Sequence, residues 1–245
     1  MSDTTSNPYN PYQAPAADLN ARSPDPGRSG SIEDALAGRY DFAIGDVLYE
    51  AWQLTPGMKG TFWRGAVPLY LAYLLAAVVG GVLYKNAPVM RVLFNLFLGA
   101  VAPVLFLGLV AMGVRRAAGL SIALATAFCG LRKALPAFIA GLLTTLLTYV
   151  GLALLLLPGI YLAIAYCMTF PLIADRDFGP WQALETSRQV VSKHWFKYCG
   201  LLGMMGLLVG VSAVPLGIGL IWTVPWAANV LGVAYRRTFG IVATA

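Results

Sequence analysis

Residues 134–174 read ALPAFIAGLLTTLLTYVGLALLLLPGIYLAIAYCMTFPLIA, 41 positions without one Asp, Glu, Lys, Arg or His. A single helix of that length would measure about 60 Å, roughly twice the hydrocarbon core of a bilayer. Pro158-Gly159 interrupts the segment near its middle, where proline ends a helix and glycine permits a reversal. The segment therefore predicts two membrane helices, Leu135–Leu157 and Ile160–Ile173, joined by a very tight turn.

Four more uncharged segments of similar character flank this one. Gly65–Tyr84 and Val92–Val114 are bounded by basic residues, and Pro215-Leu216-Gly217 divides a long apolar run at 198–235. The chain is 58% hydrophobic and 11% charged, with a mean hydropathy of +0.70, whereas soluble domains carry about 25% charged residues. We therefore predict an all-α membrane protein with six transmembrane helices, at about residues 65–84, 92–114, 135–157, 160–173, 198–214 and 218–235.

Three segments that precede the pairs of spans are amphipathic at helical spacing. In Ile44–Trp52 the apolar residues lie on one side, with Asp46 and Glu50 on the other, and Ser121–Leu131 and Pro180–Trp195 show related patterns. These segments are too short or too polar to cross a bilayer. We predict three cytoplasmic amphipathic helices in the membrane interface, with a re-entrant segment as the alternative for residues 117–131.

The N-terminal part has a different composition. Residues 1–30 are rich in Pro, Ser, Asn, Asp and Ala, and contain Asn7-Pro8-Tyr9 followed by Asn10-Pro11-Tyr12. Such a segment buries too little apolar surface to offset chain entropy, so we predict a disordered cytoplasmic tail, either simply solvated or carrying a docking motif. The chain then divides into this tail, juxtamembrane amphipathic helices at 31–62 and a six-helix transmembrane domain at 63–240.

The basic residues predict the orientation. All of the 17 Lys and Arg residues except Lys85 and Arg91 fall on one side of the predicted spans, together with both termini. The positive-inside rule places that side in the cytoplasm. The net charge of +6 then faces anionic lipid headgroups, so the predicted partner is the lipid bilayer and not nucleic acid.

The sequence contains no constellation of reactive residues. All 11 Asp and Glu residues lie outside the predicted spans, which argues against proton-coupled or cation-coupled transport. One His and three Cys without C-x-x-C spacing do not make a usual metal site, and no phosphate-binding glycine loop is present. We therefore predict a protein that is not an enzyme and that uses no metal or cofactor.

Polar side chains inside the predicted spans have two interpretations. Threonine and asparagine can hydrogen-bond between helices, or they can line a polar path through the bundle. We expect the two asparagines to meet in the interior, because an amide is costly to leave in lipid. The residues of this set are Asn95, Thr144, Thr148 and Asn229.

A stripe of small residues lies on the fifth predicted span. Gly203, Gly206 and Gly210 share one face, and small residues at this spacing permit close approach of two helices. The stripe predicts helix packing, either within the chain or with a second copy in a homo-oligomer. A lipid or another membrane protein is the other predicted partner.

Four side chains are candidates for a cytoplasmic interface. Trp52 is an interfacial aromatic residue, and Asp175 forms either an ion pair with Arg176 or part of a solvated turn. Ser187 is placed to hydrogen-bond a neighbouring span. His194 is either a pH sensor or an ordinary interfacial histidine.

Three pieces of the sequence resemble one family. They are Phe42–Trp52, the predicted turn Leu157-Pro158-Gly159-Ile160-Tyr161, and Trp181–Ser187 leading to His194-Trp195. Over about residues 40–240 the chain resembles the YciC-like proteins of the bacterial inner membrane. It is also similar to the membrane portion attached to some glycerophosphodiester phosphodiesterases. The resemblance implies six spans in that membrane and no reaction, since the phosphodiesterase catalytic domain is not present here.

Together these features predict a multi-pass bacterial inner-membrane protein that acts, without catalysis, as a scaffold or in envelope maintenance. The alternative is an uncoupled channel or a carrier for a lipid or small amphiphilic solute. Its path would pass Asn95, Asn229 and the threonines of the third span.

Overall fold

A computed structural model describes residues 30–242 of the chain. The predicted disordered tail at 1–30 lies, except for its last residue, outside the described residues. Every regular element within residues 30–242 is a helix, as the all-α prediction requires. The helices are α1 (Ile32–Ala37), α2 (Ile44–Leu54), α3 (Lys59–Leu83), α4 (Pro88–Ala117), α5 (Leu124–Ala127), α6 (Cys129–Arg132), α7 (Ala134–Leu154), α8 (Leu156–Ala165), α9 (Thr169–Arg176), α10 (Pro180–Lys193), α11 (Trp195–Ala213) and α12 (Leu220–Phe239).

Five helical segments of the described part are long and apolar enough to cross a membrane. By length and composition they are α3, α4, α7, the combined segment Leu156–Arg176 and α11. Large apolar side chains cover the outer surfaces of α3, α7 and α11. These helices fit a multi-pass membrane protein. The sixth predicted span forms α12, whose hydropathy is lowered by Asn229 and by the terminal Arg236-Arg237.

The reversal between α7 and α8 lies three residues before the predicted position. Leu155 is extended (φ −161°, ψ 145°), α8 begins at Leu156, and Pro158-Gly159 therefore lies in the first turn of α8. The predicted turn at Pro158-Gly159 is wrong because the first turn of a helix tolerates proline, whose missing N–H has no partner to lose there. Gly159 lets the two helices approach, since a Cβ there would lie 2.3 Å from Cγ of Leu152.

The segment between α4 and α7 is not the single interfacial helix that was predicted for Ser121–Leu131. It forms two one-turn helices, α5 and α6, that meet at Phe128. A Cβ on Gly130 would lie only 2.2 Å from the carbonyl oxygen of Val104, so α6 is pressed against the middle of α4. Val104 lies about 16 Å along α4 from Arg115. The segment therefore packs along α4, and the choice between an interfacial and a re-entrant segment stays a prediction.

The apolar faces of α2 and α10 are covered by other helices of the chain. On α2, Val47 and Ala51 are fully buried, and α2 packs against α12. On α10, Leu184 and Val190 are buried against the layer that contains α7, α8 and α9. The amphipathic pattern therefore reflects packing on protein at least as much as contact with lipid.

Helix α12 is buried at 11 of its 20 residues. It packs against α4, α2 and α11, and it crosses α4 at two glycines. A Cβ on Gly232 would lie 2.3 Å from the carbonyl oxygen of Gly113, and a Cβ on Gly113 would lie 2.1 Å from that of Ala228. The two backbones are in direct contact at this crossing.

The start of α12 lies beside the start of α3. The indole N–H of Trp63 donates to the carbonyl oxygen of Ile221 at 3.0 Å, and the Lys59 ammonium lies 5.1 Å from the ring centre of Trp222. The predicted topology puts the start of the first span and the start of the sixth on opposite faces of a bilayer core of about 30 Å. In the structure the two helix starts touch, so the predicted six-span arrangement is not confirmed.

Candidate functional site

The interior charges of the described residues gather where α4 and α12 end. Arg236 donates to the carbonyl oxygen of Ala117 and to Glu50, both at 2.5 Å, and Arg237 donates to the other Glu50 oxygen at 2.7 Å. The arginine side chains are only 17% and 15% exposed. One carboxylate on α2 therefore holds two arginines of α12, and α12 in turn holds the end of α4.

A second group of polar side chains joins α9 to α12. The Tyr235 hydroxyl donates to Asp175 at 2.8 Å, and the backbone N–H of Val242 donates to the same carboxylate oxygen. Arg176 lies 3.9 Å from that oxygen and donates to the carbonyl oxygen of Phe239 at 2.7 Å. Because the Asp175 side chain is only 6% exposed, it belongs to an enclosed ion pair and not to a solvated turn.

A cavity of about 280 Å³ lies next to this group, between α4, α6 and α9. Three basic residues line it, namely Arg115, Arg132 and Lys133, together with Asp175 and Cys129. Burial raises the pKa of the Cys129 thiol, although the charges of Lys133, Arg115 and Arg132 act in the opposite direction. The three cations line one common space.

The residues that were predicted to form a polar path are not brought together. Asn229 donates to Thr55 at 3.2 Å and its backbone N–H lies at the α4 crossing near Gly113. Asn95 is exposed on α4, about 27 Å along the helix from Gly113. The expected meeting of Asn95 and Asn229 is wrong, because Asn229 packs near Gly113, far along α4 from Asn95.

The threonines of that set lie apart from both asparagines, on α7. The hydroxyl of Thr144 is buried without a hydrogen-bond partner in the described part of the chain, and Thr148 is partly exposed. Neither residue reaches Asn229, whose side chain projects from α12 and donates to the C-terminal end of α2. The four residues do not line one continuous route.

The remaining predicted side chains lie in separate places. Nothing lies within 4 Å of a Cβ at Gly203, Gly206 or Gly210, so this stripe makes no close packing contact within the described chain. Trp52 is exposed on α2. The His194 ring lies 3.2 Å from the carbonyl oxygen of Gly38, in edge contact with Tyr40.

Ser187 fills the break between α8 and α9. Its hydroxyl donates to the carbonyl oxygen of Ala165 at 2.7 Å and accepts from the backbone N–H of Met168 at 3.2 Å. Ser187 is fully buried, so it supplies partners that the interrupted helix cannot supply itself. Helix α10 is thereby fastened to the combined segment Leu156–Arg176.

Replacement Ser187→Ala is expected to lower the free energy of unfolding by about 2 kcal/mol, because a buried N–H and a buried carbonyl lose their partner. Thr186→Ala removes a hydroxyl from the neighbouring position, which is only partly buried, and is the matched control. Unfolding in mixed micelles, followed by helical circular dichroism during titration with dodecyl sulfate, measures both. Equal effects of the two substitutions would contradict this role.

Sequence reasoning missed the Glu50 pairing and the basic cavity. Arg115-Arg116 and Arg132-Lys133 flank the segment between α4 and α7, and they were interpreted only as indicators of orientation. That flanking pattern was the available signal for the cavity. Nothing in the sequence signals that Glu50 pairs with residues 186 and 187 positions away.

Comparison with known proteins does not assign the chain to a family. No family model, curated protein or solved structure matches the chain. The resemblance to YciC-like proteins stays a prediction. Among the described residues there is also no group of three or more His, Cys, Asp or Glu side chains placed to hold a metal ion. The geometry of this chain therefore carries the functional argument.

Proposed function

We propose that the chain is a non-enzymatic scaffold of the bacterial inner membrane, with apolar hairpins in the lipid and its charged end in the cytoplasm. The observation that carries this proposal is the use of the interior charges. Glu50, Arg236 and Arg237 are engaged with one another and with backbone across three helices, as Asp175 is with Tyr235. Groups used in this way fix helices in place, which is what a scaffold requires.

The placement of the polar residues does not favour the channel or carrier alternative. A transport route needs polar groups that follow one another through the bundle, and the polar residues of α4, α7 and α12 lie far apart. Another cavity, of about 300 Å³, is lined by apolar residues of α4 and by Phe170. We therefore retain the scaffold role as the proposed function.

The membrane arrangement that we propose has four crossing segments, namely α3, α4, α7 and Leu156–Arg176. Helices α11 and α12 form a hairpin that enters the membrane from the cytoplasmic side and returns to that side. Contact of Ile221 with Trp63 supports this arrangement, as does the wholly apolar tip, where Leu216 is 96% exposed. Both termini remain cytoplasmic, in keeping with the distribution of Lys and Arg.

Cross-linking in intact cells tests this arrangement. In a chain whose three cysteines are replaced by alanine, Lys59→Cys combined with Trp222→Cys is expected to be joined by a short bis-maleimide, because the two native side chains are in contact. A chain with six full spans would separate these positions by the bilayer core of about 30 Å. The cross-link is scored by fragment size after cleavage between α3 and α12.

Asn86→Cys is the matched control for this experiment, since it lies in the turn between α3 and α4. It is expected to react with a membrane-impermeant maleimide added outside the cells, whereas Trp222→Cys is expected not to react. Reaction of both cysteines from outside would overturn the proposed topology.

Deletion tests the scaffold role itself. Cells that lack the protein are expected to admit more of a membrane-impermeant DNA dye, and the wild-type gene is expected to restore exclusion. Purified protein in liposomes is expected to leave entrapped solutes in place. Release of a defined solute by the reconstituted protein would contradict the scaffold role and support a channel or carrier function.

A further inference from the structure

The cavity between α4, α6 and α9 carries an unbalanced positive charge. Lys133 is paired with Asp177 at 2.6 Å, and its ammonium also donates to the carbonyl oxygens of Ile173 and Ala174. Asp175, the carboxylate of this cavity, is balanced by Arg176. The charges that remain to be balanced are therefore those of two arginines, Arg115 and Arg132.

Both arginines have N–H donors that no described residue accepts from. Within residues 30–242, Arg115 uses its Nε to donate to the carbonyl oxygen of Ser121 at 3.3 Å, which leaves both of its terminal nitrogens. Arg132 makes no hydrogen bond or ion pair with any described residue. A guanidinium presents five N–H donors in a planar fork that matches carboxylate and phosphate oxygens. Two such forks facing one space favour an oxyanion over a neutral ligand.

The size and surroundings of the cavity narrow the ligand further. A volume of about 280 Å³ lies just below the range of about 300 to 1,000 Å³ for sites that enclose a whole drug-sized ligand. It therefore suits a headgroup and not a complete lipid. Beside it, Leu124, Phe128 and Leu131 of the segment between α4 and α7 expose apolar side chains, which offer a surface for acyl chains.

We propose that this cavity is a phosphate site, in which Arg115 and Arg132 hold a phosphate group from the cytoplasmic leaflet. A basic pocket between membrane helices on the cytoplasmic side is a known setting for anionic headgroups. This inference depends on the proposed orientation in one respect, namely that the cytoplasmic leaflet supplies the ligand. The phosphate chemistry is the same for a lipid diester and for a free phosphate ion.

Calorimetric titration of the purified full-length protein in a neutral detergent tests the site. The three probes are dihexanoylphosphatidylglycerol, dihexanoylphosphatidylcholine and inorganic phosphate. The anionic lipid is expected to bind, and Arg132→Gln is expected to weaken its binding about tenfold or more, since a charge-assisted hydrogen bond is lost. The zwitterionic lipid, which has the same phosphate and acyl chains, is expected to bind more weakly.

Arg91→Gln is the matched control, because Arg91 lies at the opposite end of α4 from Arg115. Arg132→Lys keeps the charge and loses the planar fork, so an intermediate affinity is expected. Circular dichroism checks that each variant is folded. Binding of inorganic phosphate with the affinity of the anionic lipid would assign the site to free phosphate and would still support it.

Two results would overturn the phosphate site. One is no binding of any of the three probes to the wild-type protein, and the other is an equal loss of affinity in Arg91→Gln and Arg132→Gln. Because the titration is done in detergent, neither result bears on the proposed topology or on the scaffold role. Those proposals fail separately, in the cross-linking and deletion experiments.

Discussion

Gly232→Ala is expected to lower the free energy of unfolding by about 3 kcal/mol, which is the cost of forcing atoms into a closed contact. The new Cβ would lie 2.3 Å from the carbonyl oxygen and 2.4 Å from the carbonyl carbon of Gly113. Both atoms are backbone, so a rotamer change cannot relieve the overlap. Helix α12 would have to move away from α4, and titration with dodecyl sulfate in mixed micelles measures the loss.

The same substitution on α11 is the matched control. Gly203 and Gly206 have no atom within 4 Å of a Cβ, and alanine is the better helix former by up to about 1 kcal/mol. Gly203→Ala and Gly206→Ala are therefore expected to leave stability unchanged or to raise it slightly. If Gly232→Ala behaved like these two controls, α12 would not cross α4 in direct backbone contact.

Glu50→Gln is expected to destabilise the protein by about 3 kcal/mol, because two enclosed arginines lose their shared counter-charge. The replacement keeps the size of the side chain and one acceptor oxygen, so the loss reports charge. Arg236 and Arg237 would also have no second carboxylate in reach among the described residues. Unfolding in mixed micelles is again the measurement, at constant salt.

Asp46→Asn provides the control for Glu50→Gln. It removes one negative charge from the same helix, at an exposed position in the first turn, and is expected to cost less than about 1 kcal/mol. Replacing Glu50, Arg236 and Arg237 together by methionine is expected to recover most of the loss, because no unpaired charge then remains. Failure of the triple replacement to recover stability would show that packing at this position, and not charge, decides the effect.

The long apolar segments were predictable because exclusion of charge from lipid is a strong and local signal. The uncharged run from residue 134 to 174 predicts a hairpin whichever side of the membrane is cytoplasmic. The structure forms α7, α8 and most of α9 from it. The position of the reversal was less predictable. Proline and glycine mark both a turn and the first turn of a helix, and the pattern does not separate these two uses.

The amphipathic segments show a different limit of sequence reasoning. Period and polarity identify which face of α2 or α10 avoids water, but they do not identify what covers that face. For α2 the cover is α12, which is itself polar enough at Asn229 and Arg236 to need protein partners. An apolar run that ends in such residues can be a buried helix at the membrane surface as readily as a crossing.

The candidate sites were predictable only where chemistry is carried by neighbouring residues. The pair Arg132-Lys133 was visible in the sequence, yet Lys133 turns to Asp177 while Arg132 faces the cavity. Of these two adjacent residues of equal charge, Lys133 is paired and Arg132 has no partner among the described residues, a difference that the sequence does not signal. The Glu50 pairing joins residues that only long-range packing brings together.

The central position of α12 has a consequence for biogenesis. The ribosome delivers α2, α4, α9 and α11 before α12, although each of them packs against it. Until α12 emerges, Glu50 has no counter-charge and the Gly113 backbone has no neighbour. The earlier helices can pack on one another, as α4 does on α7, but the contacts at the charged end can form only after α12 has been synthesised.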